Sequence, residues 1–190
     1  MPNQSDLPVT SGNKSGFERV RVDVAQTSFF EGREFSLSDE LNIPSSGARI
    51  YKIVSPHDFV IWANHLQIES GFARMALVYG GTEGGTFTPL TLHSTNGMSL
   101  GANRRRTSQA VEYAAQITVA AGGTLTGGTE RDIIRLKASN VTVQATSVTD
   151  QFSERGFAAG TYYLRLTNLS ITDAITGVLF IRWEERPASM

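Results

Sequence analysis

Ser55, His57 and Asp58 place the three side-chain types of a hydrolytic triad almost side by side. A triad needs nucleophile, base and orienting acid in one line of hydrogen bonds, whereas side chains of neighbouring residues diverge. With Pro56 between them the stretch reads as a turn. The 3 histidines, His57, His65 and His93, stand at none of the close spacings of a metal-ligand pair and read as surface or core-edge residues. Asp39 with Glu40, and Glu184 with Glu185, are adjacent carboxylates. Successive positions on a strand point to opposite faces, so neither pair makes an acid–base dyad. A dyad built from residues distant in sequence stays open, and no pair is marked for it.

Gly80, Gly81, Thr82, Glu83, Gly84 and Gly85 form a glycine-rich run without the Lys and Ser/Thr that would hold phosphate and magnesium, and Glu83 would repel phosphate. It reads as a hairpin loop. Arg104, Arg105 and Arg106 are the one dense cationic spot, suited to a phosphate, to an acidic patch on a protein partner, or simply to water. The aromatic pair Phe29 and Phe30, close to Phe35, either covers the core or projects into a neighbour. Phe29, Phe30, Arg104, Arg105 and Arg106 are therefore the candidate protein-contact residues. No catalytic, cofactor-binding or metal-binding residue is expected, and no cofactor.

These side chains must be carried by a chain of 190 residues with 17 basic and 18 acidic groups, 40% hydrophobic residues and no cysteine. The apolar share suits a folded domain with a real core, and no apolar run reaches the length of a membrane span. A formal net charge of −1 disfavours a whole-chain polyanion binder, so no nucleic acid is expected as partner. Without cysteine neither disulfides nor thiolate metal sites hold the fold, and hydrophobic packing must do so. The beginning of the chain lacks the basic and apolar regions of a signal peptide, so synthesis in the cytoplasm is expected. The Asn-x-Ser/Thr sequons at Asn3, Asn13, Asn140 and Asn168 then read as coincidences of composition.

Residues 1–17, rich in Asn, Ser, Pro and Gly, cannot bury enough apolar surface to offset their ordering entropy and read as a flexible N-terminal arm. From Glu18 the text alternates, with Val20, Val22 and Val24 on one face of an extended strand. The same period of two recurs in Val111 to Val119, with Val111, Tyr113, Ala115, Ile117 and Val119 inward. It recurs again from Arg131 to Ala138, where Ile134, Leu136 and Ala138 oppose Arg131, Arg135 and Lys137 while Ile133 falls on the polar side. Tyr162, Leu164 and Leu166 share a face, as do Leu179, Ile181 and Trp183. Further strands are expected at Phe35–Ile43, Ala48–Ser55, Phe59–Glu69, Phe72–Tyr79 and Val141–Ala145, with turns rich in Gly, Ser, Asp and Pro between them. Short strands, many glycines and no helical stripe predict an all-β fold: an antiparallel, jelly-roll-like β-sandwich spanning residues 18–190 as one domain.

Two stretches, FVIWANHLQIESGFARMALVYGGTEGGTF (Phe59–Phe87) and ERGFAAGTYYLRLTNLS followed by TGVLFIRWEERP (within Glu154–Pro187), resemble a family of small structural proteins of tailed bacteriophages, of head-decoration or tail-associated type. The motifs are structural: the Trp62 strand, the glycine-rich run, Gly160-Thr161-Tyr162-Tyr163-Leu164 and the closing Trp183-Glu184-Glu185. The resemblance implies a non-enzymatic accessory protein located in the virion, cementing or decorating capsid or tail. Its partners would be itself, as dimer or trimer, and other virion proteins such as the major capsid protein or tail components, with no membrane involved. The alternative is a tail-borne carbohydrate- or receptor-binding module, with Tyr79, Phe87 or Phe157 stacking on sugar faces.

Overall fold

The computed structural model describes residues 33–94, 114–138, 144–147 and 155–186. The expected N-terminal arm, the Val20–Val24 strand, Val111 and Tyr113 lie outside these residues. In chain order the strands are β1 (Glu34–Ile43), β2 (Ala48–Ser55), β3 (Asp58–Ile68), β4 (Phe72–Tyr79), β5 (Thr82–Pro89) and β6 (His93–Ser94), followed by β7 (Thr118–Thr126), β8 (Thr129–Lys137), β9 (Gln144–Ser147), β10 (Arg155–Phe157), β11 (Gly160–Asn168) and β12 (Ile175–Arg186). They form two six-stranded antiparallel sheets. The first runs β10-β3-β12-β1-β6, with β9 also on β3; the second runs β5-β7-β2-β11-β4-β8. The fold is all-β, as the period-two pattern predicts.

Alternation explains which residues fill the space between the sheets. Phe35, Leu37, Leu41 and Ile43 of β1 and Leu179, Ile181 and Trp183 of β12 face Tyr51 and Ile53 of β2, Met75 and Leu77 of β4, and Leu164 and Leu166 of β11, in one buried cluster. Each large apolar side chain so buried contributes about 1.5–3 kcal/mol. Thr118, where β7 begins, marks a difference from the expected strand over Val111–Val119: residues 114–117 are not strand, although Ile117 and Val119 are buried as expected.

Two strands reverse their facing part-way. On β3, Phe59 and then Leu66 and Ile68 are all core residues although their numbers differ in parity. One extra residue reconciles them: Ala63 pairs with Arg182 and Ile61 with Trp183, leaving Trp62 as a bulge. On β8, Ile134 pairs with Met75 and Arg131 with Leu77, so Asp132 and Ile133 together oppose Ala76, with Asp132 at φ 52°. This corrects the expectation that Arg131 shares a face with Arg135 and Lys137. The bulge turns Arg131 to the other side, where its guanidinium lies 5.6 Å from the Tyr79 ring centre. Ile133, the residue that broke the pattern in the sequence, is half exposed at this bulge.

The glycine runs are also corrected. Gly80 and Gly81 join β4 to β5, yet β4 pairs with β8 and β11 while β5 pairs with β7, so no hairpin forms there. Gly127 and Gly128 join β7 to β8 in the same way. The register, Tyr79 to Thr129 and Thr82 to Thr126, describes one two-stranded ribbon of β4-β5 against β8-β7 that folds over at these glycines. Gly84 and Gly85 lie inside β5. At Gly128, φ is 84° and a Cβ would stand 2.6 Å from Val78 Cγ1, so only glycine fits the corner. The folded-over half brings Phe87 and Leu125 onto Ile50, Val78 and Tyr163, a second small core on the outer face of the sheet.

Candidate functional site

The two bulges lie beside one opening. Between the β3 and β8 margins lies a cavity of about 220 Å³, with walls that include Ile53, Ile61, Met75, Leu77, Leu164 and Ile181. Trp62 and Asn64 come from the bulged stretch of β3, Asp132 and Ile133 from the bulged stretch of β8, and Phe157 from β10. A bulge bends its strand and interrupts regular pairing, and here one on each sheet frames the same opening. Trp62 Nε1 and Asn64 Oδ1 are buried without a hydrogen-bond partner. Such atoms are rare in folded proteins, and each one left unpaired costs about 1–3 kcal/mol. Asp132 is the one carboxylate among the described lining residues.

Phe157 also belongs to a chain of rings at this end of the sandwich. It stacks on Phe59 with centres 4.9 Å apart and meets Tyr162 edge-on at 5.2 Å, and Tyr162 meets Tyr79 edge-on at 5.6 Å. Burial raises the Tyr162 hydroxyl above its ordinary value, and it donates to the Ala158 carbonyl. Phe87, the third ring considered for sugar stacking, packs on the second core with Lys52 Nζ 5.7 Å from its centre. Tyr79, Phe87 and Phe157 are thus all engaged in packing within the chain.

Among the described residues, other inward polar groups are satisfied. Asp39 Oδ2 accepts from the Tyr51 hydroxyl at 2.6 Å and from Arg49 Nε at 2.9 Å, binding β1 to β2 across the two sheets. Tyr51 is completely buried, and burial first, then Asp39, holds its hydroxyl far above the ordinary range. Glu185, also without exposure, accepts from the backbone N–H of Gln116 at 3.0 Å and of Ile117 at 3.1 Å, and lies 3.2 Å from His57 Nε2. One carboxylate thereby pins the approach to β7, the β2–β3 turn and β12. Ser55 donates to the His57 carbonyl at 2.5 Å, so its hydroxyl is committed to the turn and not to the imidazole. Glu184, as expected, faces away from Glu185 and pairs with Arg186 at 3.2 Å. It stands across the strand from Glu34, which is paired with Arg182. These two buried carboxylates, distant in sequence, are each matched by a guanidinium.

Asn168 shows what became of one sequon. Its amide donates to the carbonyls of Ile43, Pro44 and Asp173 and accepts from the Ser170 N–H, at 2% exposure, so it organises a loop and is closed to modification. That loop holds Ile171 out at 83% exposure, beside Leu169 at 38%.

The predicted contact residues Phe29, Phe30, Arg104, Arg105 and Arg106 lie outside the described residues. Sequence reasoning missed Trp62, Asn64 and Ile171. The usable signals were the parity switch between Phe59 and Leu66 and the Asn-Leu-Ser-Ile-Thr-Asp run that closes β11 and forms the loop beyond it. Among the described residues, no group of three or more His, Asp or Glu is placed to hold a metal ion, and no helix is long and apolar enough to cross a membrane. No protein-family model, curated protein or solved structure matches the chain.

Proposed function

We propose that the chain is a non-enzymatic accessory structural protein of a tailed-phage virion, cementing or decorating the capsid or tail through protein–protein contacts. The observation that carries this reading is the loop after β11. Asn168 clamps it from below, Ser170 Oγ accepts from the Asp173 N–H at 3.0 Å and donates to Asp173 Oδ2 at 3.1 Å, and the Ser46 N–H donates to the Ser170 carbonyl at 2.9 Å. A loop ordered in advance loses little entropy on docking, so the exposed Ile171, with Leu169 at the loop's base, is an efficient point of protein contact. The resemblance of Phe59–Phe87 and Glu154–Pro187 to virion proteins supplies the class of partner. Of its strands, β3, β4, β11 and β12 have paired neighbours on both sides, while β5 and β10 end their sheets.

The test is co-sedimentation of the purified full chain with phage heads and, separately, with tails at physiological salt, alongside its own oligomeric state by analytical ultracentrifugation. Binding to one of the two, weakened by Ile171→Ser or by replacing Arg104, Arg105 and Arg106 with serine, supports the reading and gives the address. A protein that stays monomeric and binds neither overturns it.

A further inference from the structure

The cavity between the β3 and β8 margins combines three properties that together describe a ligand. Its volume of about 220 Å³ exceeds the roughly 150 Å³ of an apolar protein cavity known to take up benzene. Its walls are dominated by Ile, Leu, Met and Phe side chains. Its bulged strand β3 carries one unpaired donor, Trp62 Nε1–H, and one unpaired acceptor, Asn64 Oδ1, two residues apart. A purely apolar occupant would leave both unpaired. A carbonyl or an ether oxygen would meet the donor alone, and an ammonium group the acceptor alone. A hydroxyl meets both, because its oxygen accepts while its hydrogen donates.

We propose that this cavity is a binding site for a ring-sized apolar molecule bearing one hydroxyl, a phenol or a cyclic alcohol, which accepts from Trp62 and donates to Asn64. The ring fills the space among Ile61, Met75, Leu77 and Leu164. Entry is between the two bulges, past Ile133, which is half exposed. The site is independent of the assembly function proposed above, since it lies between the sheets and uses neither Ile171 nor the arginine cluster.

The test uses phenol and benzene as paired probes on the full chain, followed by calorimetry and by the indole Nε1–H resonances of Trp62 and Trp183. Phenol is expected to bind saturably and more tightly than benzene, moving the Trp62 indole resonance and not that of buried Trp183. Trp62→Phe and Asn64→Leu each remove one hydrogen bond. Each is expected to lower phenol affinity by about 2- to 10-fold and to leave benzene affinity nearly unchanged. Absence of saturable binding by either probe overturns the proposal, as do variants that bind phenol as the parent does. Where a variant fails to fold, the parent protein decides: a Trp62 resonance that ignores phenol, or a phenol-soaked crystal holding only a water between Trp62 and Asn64, sinks the assignment.

Discussion

Asp39 and Asn64 both occupy inward positions near opposite margins of the same sandwich, and their surroundings treat them differently. Asp39, on β1, is met by a tyrosine hydroxyl and a guanidinium reaching over from the facing sheet. Asn64, on β3, lines the cavity together with the bulged residues Asp132 and Ile133 of β8, and its oxygen finds no partner. Glu185, on β12, repeats what is seen at Asp39, with two backbone N–H groups and an imidazole on one buried carboxylate. Buried polar groups that are fully bonded hold layers together, whereas those left unbonded in a folded core are few, costly and call for an explanation. The comparison separates scaffold from candidate site inside one core.

The sharpest way to break it is Glu185→Leu. Removing the shared acceptor leaves the Ile117 N–H buried and unpaired and the part-buried Gln116 N–H without its carboxylate, so a loss of about 2–4 kcal/mol in urea unfolding is expected. A loss below about 1 kcal/mol would remove Glu185 from the scaffold. Asp39→Leu comes next, with a loss of about 2–3 kcal/mol as the Tyr51 hydroxyl and Arg49 lose their acceptor. Alkali probes the same kind of bond without mutation. Burial and the Glu83 acceptor push Tyr163 up to about 12, and Tyr51 is raised further in the same direction. A raised tyrosine favours the folded state below its unfolded value near 10, and that contribution is lost as pH rises through the folded value. Denaturant midpoints should therefore fall from about pH 10 upward, less steeply in Tyr163→Phe than in the parent. The smallest effect is expected on the other margin. Asn64→Leu deletes an unpaired buried oxygen and should be neutral or stabilising by up to about 1 kcal/mol. A loss as large as that of Asp39→Leu would show that Asn64 belongs to the scaffold after all.

Much of the framework was legible in the residues because burial on one face imposes period two directly on the text. Ala48–Ser55 and Phe72–Tyr79 begin and end where the pattern does, and Leu179, Ile181 and Trp183 share the buried face the alternation assigns them. Strand β5 was hidden because its glycines carry turn chemistry and no apolar period. Their meaning changes only when the partner strand is seen. The site was less legible than the frame, since a bulge adds one residue without changing composition and Trp62 and Asn64 look like ordinary strand residues.

The sequence by itself determined the all-β class, most of the strand positions and which side chains enter the core, because each follows from local alternation and the chemistry of turns. Tertiary structure alone decided that the glycine pairs fold a ribbon over the outer face, that Glu185 and Asp39 are consumed as anchors, and that Trp62 and Asn64 stand unpaired beside a cavity. The physical reason is that hydrogen-bond satisfaction is a property of two groups, and the second group lies on a strand whose register the local pattern does not encode.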